Sequence, residues 1–151
     1  MKTSTKTPEA NLGWLAGIFD GEGSCGLYKS KGRHLSPSFS IGSKDLILVQ
    51  HVTKVAATFG AELFISQTPV NGRPFYWAKT SRRETLAKLI SVLAPRCVLK
   101  APQLWILHCF LAMCNKAKNR ETRTRIGLGL ITKRLNQREI TPNQPAHAGS
   151  A

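Results

Sequence analysis

"LAGIFDGEGSCG", residues 15–26, decides how the rest of the chain is read. Gly21-Glu22-Gly23-Ser24-Cys25-Gly26 meets the G-x-G-x-x-G spacing of a dinucleotide-binding loop. The same letters also describe a helix that ends on two carboxylates, Asp20 and Glu22. A dinucleotide loop needs a strand before its glycines and a helix after them, because helix N-terminal amides hold the pyrophosphate. Here the order is inverted. Leu12, Leu15, Ala16 and Phe19 form a helical face before the glycines, and a strand pattern follows them. The glycine spacing is coincidental, and the carboxylates are the feature to explain.

Their setting makes them costly. The 151 residues hold 22 Lys and Arg against 8 Asp and Glu, a net charge of +14. Such self-repulsion points to a polyanionic partner, nucleic acid first and an anionic membrane surface second. Fixed negative charge near a phosphate-binding face weakens binding, and the C-terminal end of a helix disfavours carboxylates by about 0.3–1 kcal/mol each. Two explanations stay open at this point. The acids are solvated at a turn, or carboxylate and freed backbone carbonyl together hold a hard cation such as Mg²⁺ that meets a phosphate.

The remaining elements follow from periodicity. "SCGLYKS" and "SPSFSIG" read as strands across the turn "KGRH", and "SKDLILVQHVTKVAATFG" reads as a helix with Ser43 as N-cap. "AELFISQ" and "RPFYWAKT" are strands across the turn "PVNG". "SRRETLAKLISVLA" is a helix with a capping box from Ser81 to Glu84. A fourth helical run, "QLWILHCFLAMCNKA", follows Pro102, and "IGLGLITKRLNQRE" suggests a last helix. The expected class is α+β: an antiparallel sheet with helices on one face and the other face open. One domain is expected over residues 1–140, with its core at 11–94 and a helical region at 95–140. That region is basic from 116, with eight basic residues and one acid between 116 and 138; 141–151 has the composition of a flexible tail. The four cysteines lack C-x-x-C spacing and fit reduced thiols. No apolar run suggests a membrane span, and no signal-peptide core is present. An intracellular setting is expected, either a prokaryotic cytoplasm or the interior of an organelle.

Leu15-Ala16-Gly17-Ile18-Phe19-Asp20-Gly21-Glu22-Gly23 resembles the motif of the LAGLIDADG homing endonucleases position by position. The αββαββα order read above is similar to that family's fold, an antiparallel saddle with helices on one face, here followed by C-terminal helices. The resemblance implies a site-specific endonuclease that hydrolyses both strands of a long, near-palindromic double-stranded DNA target. It implies Mg²⁺ as cofactor, with Mn²⁺ or Ca²⁺ as substitutes in binding. Glu22 takes the position of the metal-binding acid, with the Gly21 carbonyl nearby and Asp20 as a further candidate ligand. Lys100, in "LAPRCVLKAPQ", resembles the family's pocket lysine. Ser43 or Lys44 takes the pocket position at the end of the second strand.

For a chain with a single motif the resemblance implies a homodimer in which the motif helices pack together, and Gly13, Ala16, Gly17 and Asp20 lie on one stripe of that helix. A two-fold dimer implies a roughly palindromic site. The open sheet face would enter the major groove. Its candidate readers are Tyr28, Ser30, Arg33, His34, Ser36, Ser38 and Ser40 from the first hairpin, and Gln67, Arg73, Trp77 and Lys79 from the second. The competing reading is an intron-splicing maturase or a non-cleaving nucleic-acid-binding protein on the same fold, with RNA as partner.

Overall fold

The motif helix and the strand after it meet without a linking loop. Helix α1 (Pro8–Glu22) ends at Glu22, and strand β1 (Gly23–Lys29) begins at the next residue. Gly23 makes this junction possible: a Cβ there would collide with the ring and the carbonyl oxygen of Phe19. Phe19 is fully buried and stacks on Phe39 of the second strand, 4.6 Å between centroids, so the motif's apolar face anchors the core.

The computed structural model describes residues 8–29, 35–115, 122 and 124–131. After β1 come β2 (Leu35–Ser43), α2 (Leu46–Ala57), β3 (Phe64–Val70), β4 (Arg73–Thr80), α3 (Arg83–Leu93) and α4 (Ala101–Cys114). The four strands form one antiparallel sheet in the order β1-β2-β4-β3. This is the expected α+β arrangement. Among the described residues, no helix is long and apolar enough to cross a membrane.

One sheet face is covered. Cys25, Phe39, Ile41 and Ala78 point into a core completed by Leu15 of α1, Val49 and Val52 of α2, Leu86, Leu89 and Leu93 of α3, and Leu104, Leu107 and Phe110 of α4. Each such large side chain, fully buried, contributes about 1.5–3 kcal/mol. Trp14 meets His51 edge-on at 4.7 Å and ties α1 to α2. Residues 124–131 are helical, and Gly127 packs where a Cβ would press on Leu35, Leu27 and Phe110. The remainder of the expected last helix, the tail, and the basic residues of 116–138 other than Arg125 lie outside the described residues.

Several local details differ from expectation. The N-cap of α2 is Asp45, whose Oδ1 accepts from the Ile47 amide at 2.8 Å, while Ser43 Oγ accepts from the Asp45 amide at 3.0 Å. The capping box on α3 does not form. Arg82 is its N-cap without a side-chain bond, and Thr80 Oγ1 accepts from the Arg82 amide at 3.2 Å. Strand β3 runs on through Val70, so the second hairpin turns on Asn71 and Gly72 alone. Their φ values of 52° and 74° give the two-residue turn that matches strand twist.

Candidate active site and nucleic-acid interface

Asp20 is turned inward against its own chain. Its Oδ2 accepts from the Val98 amide at 2.7 Å and its Oδ1 from the Lys100 amide at 2.9 Å. Burial pushes the Asp20 carboxyl up, but the amides of Val98, Lys100 and Leu99 and the Cys97 thiol outweigh it and hold the group below its ordinary value. Three successive amides aimed at one carboxylate form an anion nest. The same loop is tied a second time where Cys97 Sγ donates to the Ala16 carbonyl at 3.7 Å. The consequence is positional: residues 97–100 are bound to the end of α1, and Lys100 stands there as N-cap of α4.

Both carboxylate oxygens of Asp20, the possible further metal ligand and seam residue, thus accept amide bonds from the loop. Ala16, also expected on the seam stripe, is 3% exposed in the chain's own core. Gly13 and Gly17 are exposed, as is Gly21 one turn on, and a Cβ at any of them would find nothing within 4 Å. Leu99 and Val98, at the tip of the loop that Asp20 holds, are 70% and 78% exposed.

Glu22 is exposed as the last residue of α1, and the two ion pairs among the described residues employ Glu62 and Glu9 instead. The last carbonyls of a helix lack intrahelical donors, so Gly21 adds a free oxygen beside the carboxylate. Gly23 pairs with Ile41, which places the start of β1 beside the end of β2 and therefore near Ser43. Ser43 spends its hydroxyl on the Asp45 amide. Lys44 is exposed and lines a cavity of about 360 Å³ with Val70, Asn71, Arg73, Pro74 and Phe75. No cluster of three or more His, Cys, Asp or Glu exists among the described residues. The described residues therefore hold no structural zinc set. Mg²⁺ is a different matter: it is commonly bound by one or two carboxylates with waters and substrate phosphates, a donor set that Glu22 and a carbonyl fit.

Register fixes which side chains face away from the helices. In β1 they are Ser24, Gly26 and Tyr28; in β2, Ser36, Ser38, Ser40 and Gly42. In β4 they are Arg73, Phe75, Trp77 and Lys79, and in β3, Phe64, Ser66, Thr68 and Val70. Tyr28, Ser36, Ser38, Ser40, Arg73, Trp77 and Lys79 thus lie on the open face as expected. Gln67 does not. It pairs with Tyr76 on the helix side, and Ser66 and Thr68 hold the outward places. Ser30, Arg33 and His34 lie outside the described residues. Ser24, Thr68 and Phe75 are outward residues missed from the sequence; counting pairs from the Asn71-Gly72 turn would have found the last two. Tyr28 folds back over Gly26, its hydroxyl 3.0 Å from Ser24 Oγ.

No sequence-family model and no curated protein matches the chain in sequence. In structure it is similar to the archaeal intron-encoded homing endonuclease I-Vdi141I complexed with DNA, at TM-score 0.63 and 19% identity, covering 84% of this chain and 86% of that one. It is similar to the homing endonuclease I-CvuI in complex with its target in the presence of Ca, at TM-score 0.56 and 13% identity, covering 70% and 68%. It also resembles the LAGLIDADG meganuclease I-AabMI bound to uncleaved DNA, at TM-score 0.59 and 18% identity, covering 76% of this chain but 41% of that one. With the motif on α1, the anchored loop behind it and an open four-stranded sheet beside it, the chain has the fold of the LAGLIDADG homing endonucleases.

Proposed function

We infer that the protein is a site-specific DNA endonuclease that hydrolyses both strands of a near-palindromic duplex as a metal-dependent homodimer. The observation that carries this reading is the division of labour between the two motif acids. Asp20 is consumed in holding the Lys100 loop, while Glu22, two residues on, is left exposed at the edge of the open sheet. An exposed carboxylate is a liability in a chain of net charge +14 that meets phosphates, unless a cation accompanies it.

Glu22 and the Gly21 carbonyl would hold Mg²⁺, with Mn²⁺ or Ca²⁺ able to substitute in binding. When bound, the ion polarises the phosphate and steadies the attacking and leaving oxygens. Lys100, fixed at the N-terminus of α4, stabilises negative charge that develops on the scissile phosphate. Lys44 stands at the end of β2 beside Arg73 and reaches for the backbone, while Ser43 supports the start of α2. The open sheet face lies in the major groove, whose width admits strands and whose edges carry the full base code.

The dimer follows from what α1 leaves uncovered. Gly13, Gly17 and Gly21 weaken the helix by about 1 kcal/mol each relative to Ala, and nothing among the described residues uses the space they leave. A second copy of α1 does use it, and the exposed Val98 and Leu99 extend the apolar surface at the end of that face. Each copy then contributes one Glu22 to one DNA strand. The similarity to I-AabMI, of which this chain covers 41%, agrees with a unit that needs a second copy.

The test is cleavage of a randomised duplex library by purified protein in Mg²⁺, with the ends sequenced and Glu22→Gln run in parallel. The expected result is paired, staggered cuts in one near-palindromic site, absent from the variant, which still retains the same duplex in Ca²⁺. Equal cleavage by Glu22→Gln overturns the assignment.

A further inference from the structure

The outward residues of β4 run Arg73, Phe75, Trp77, Lys79: a cation, two rings, and a cation. We propose that Phe75 and Trp77 form a thymine-reading patch, a carbon surface on the open sheet that packs on the C5-methyl groups of one or two thymines per half-site. The proposal rests on the duplex-DNA reading above and adds what one part of the sheet recognises.

The patch is built, not incidental. The two rings lie 4.8 Å apart at 49°, and both close over Gly42 of the neighbouring strand. A Cβ at Gly42 would stand 2.5 Å from Phe75 Cε1 and 2.5 Å from Trp77 Cε3. The only polar atom of the indole is already engaged along the sheet surface, where Trp77 Nε1 donates to Thr68 Oγ1 at 2.9 Å. What the pair offers outward is carbon, at the centre of a face whose other large apolar side chains, Phe64 and Val70, lie out on the edge strand β3.

A base edge in the major groove presents donors and acceptors, and thymine alone adds a methyl group. Against carbon, the polar edge atoms of other bases lose water and gain no partner, whereas the methyl gains apolar contact. The rings lean together, 4.8 Å between centroids, which lies between one and two base-pair steps of about 3.4 Å. Together they address one base pair or two neighbouring ones, and the flanking Arg73 and Lys79 fall to phosphates or guanines just beyond.

The experiment begins with the duplex that the wild-type protein retains from a randomised library in Ca²⁺. Each thymine of that duplex is then replaced, one at a time, by deoxyuridine, which keeps the base pair and removes only the methyl. Expected is a loss of about fourfold in affinity at one or two thymines per half-site, equivalent to about 0.8 kcal/mol per buried carbon. That loss should disappear in Phe75→Ser or Trp77→Ser. Because the wild-type scan alters only the DNA, it stands even where a variant fails to fold. Duplex binding that ignores every deoxyuridine overturns the patch and leaves the nuclease reading intact. A deoxyuridine effect that survives both serine variants also overturns it. Wild-type protein that refuses duplexes and retains unpaired RNA overturns both readings at once.

Discussion

The Lys100 amide donates to Asp20 Oδ1 at 2.9 Å, a bond that spans eighty residues of chain and joins the end of the motif helix to the N-cap of α4. In the proposed endonuclease, Asp20 is therefore a positioning residue and Lys100 the group it positions. Hydrogen bonds to a charged acceptor contribute about 1.5–3 kcal/mol each, and misplacing a reacting group by about 1 Å costs about a hundredfold in rate. Asp20→Asn keeps an acceptor but turns a donor toward one of the amides. We expect it to lower kcat by about ten- to a hundredfold with KM nearly unchanged. The decisive measurement is the double variant: Asp20→Asn with Lys100→Ala should be no slower than Lys100→Ala alone. Additive losses would mean that Asp20 acts by some route other than Lys100.

Gly17 offers a test whose sign separates monomer from dimer. In an isolated chain a Cβ at Gly17 has open space, so Gly17→Ala should raise stability by about 1 kcal/mol through helix propensity. In a closely packed α1–α1 seam the same methyl group holds the backbones apart. The expected outcome is a lower Tm with a sedimentation shift toward monomer. A higher Tm with unchanged mass would remove Gly17 from the seam. Leu99→Asp, on the exposed loop tip, should weaken the dimer without touching the core.

The parts of this molecule that were legible in the sequence are the ones set by local rules. The period of Leu15 and Phe19 marked the buried face of α1, and the alternation of Phe39 and Ile41 with Ser38 and Ser40 marked the two faces of β2. What was not legible depends on partners far away in the chain. Asp20 reads as a free acid until the amides of residues 98–100 arrive from beyond the second hairpin and α3. Strand β3 is an edge strand with Phe64, Ile65, Gln67, Thr68 and Val70 all exposed, so no alternation betrays its faces. Gln67 was misplaced for that reason; its side follows only from the Asn71-Gly72 turn. The capping box at Ser81–Glu84 failed because α3 starts one residue later than the pattern requires: Arg82 is the N-cap, so Ser81 lies outside the helix and Glu84 is its second residue.

Gly42 carries a prediction on binding alone. Gly42→Ala places a methyl against both rings of the outward pair, and the side chains must lift to admit it. The three nearest clashes are all with ring atoms of side chains on the open face and none is with backbone. Expected is a near-normal Tm with weakened and less selective DNA binding in Ca²⁺, read by competition between the cognate duplex and scrambled duplexes. Unchanged selectivity would mean that the rings do not touch the target.

Cys97 predicts how the site behaves in alkali. Burial pushes its thiol up from 9.0 to about 12, and the neighbouring Asp20 carboxylate and its hydrogen bond add to the shift. A folded state that keeps a proton the unfolded chain releases is stabilised below pH 9.0, and that contribution is lost as pH rises from 9.0 through about 12. Cys97→Ser retains a donor for the Ala16 carbonyl but does not titrate in this range. The stability of wild type minus that of the serine variant, from urea denaturation at stepped pH, should therefore fall between pH 9.0 and about 12. A flat difference would mean that the thiol is not held beside the Asp20 anion. Alkylation gives the companion result: near pH 8 half-buried Cys109 should react before Cys97, because only a thiolate attacks and Cys97 is kept as a thiol. Asp20→Asn removes the neighbouring negative charge, so it should speed alkylation of Cys97 relative to Cys109 in the same protein.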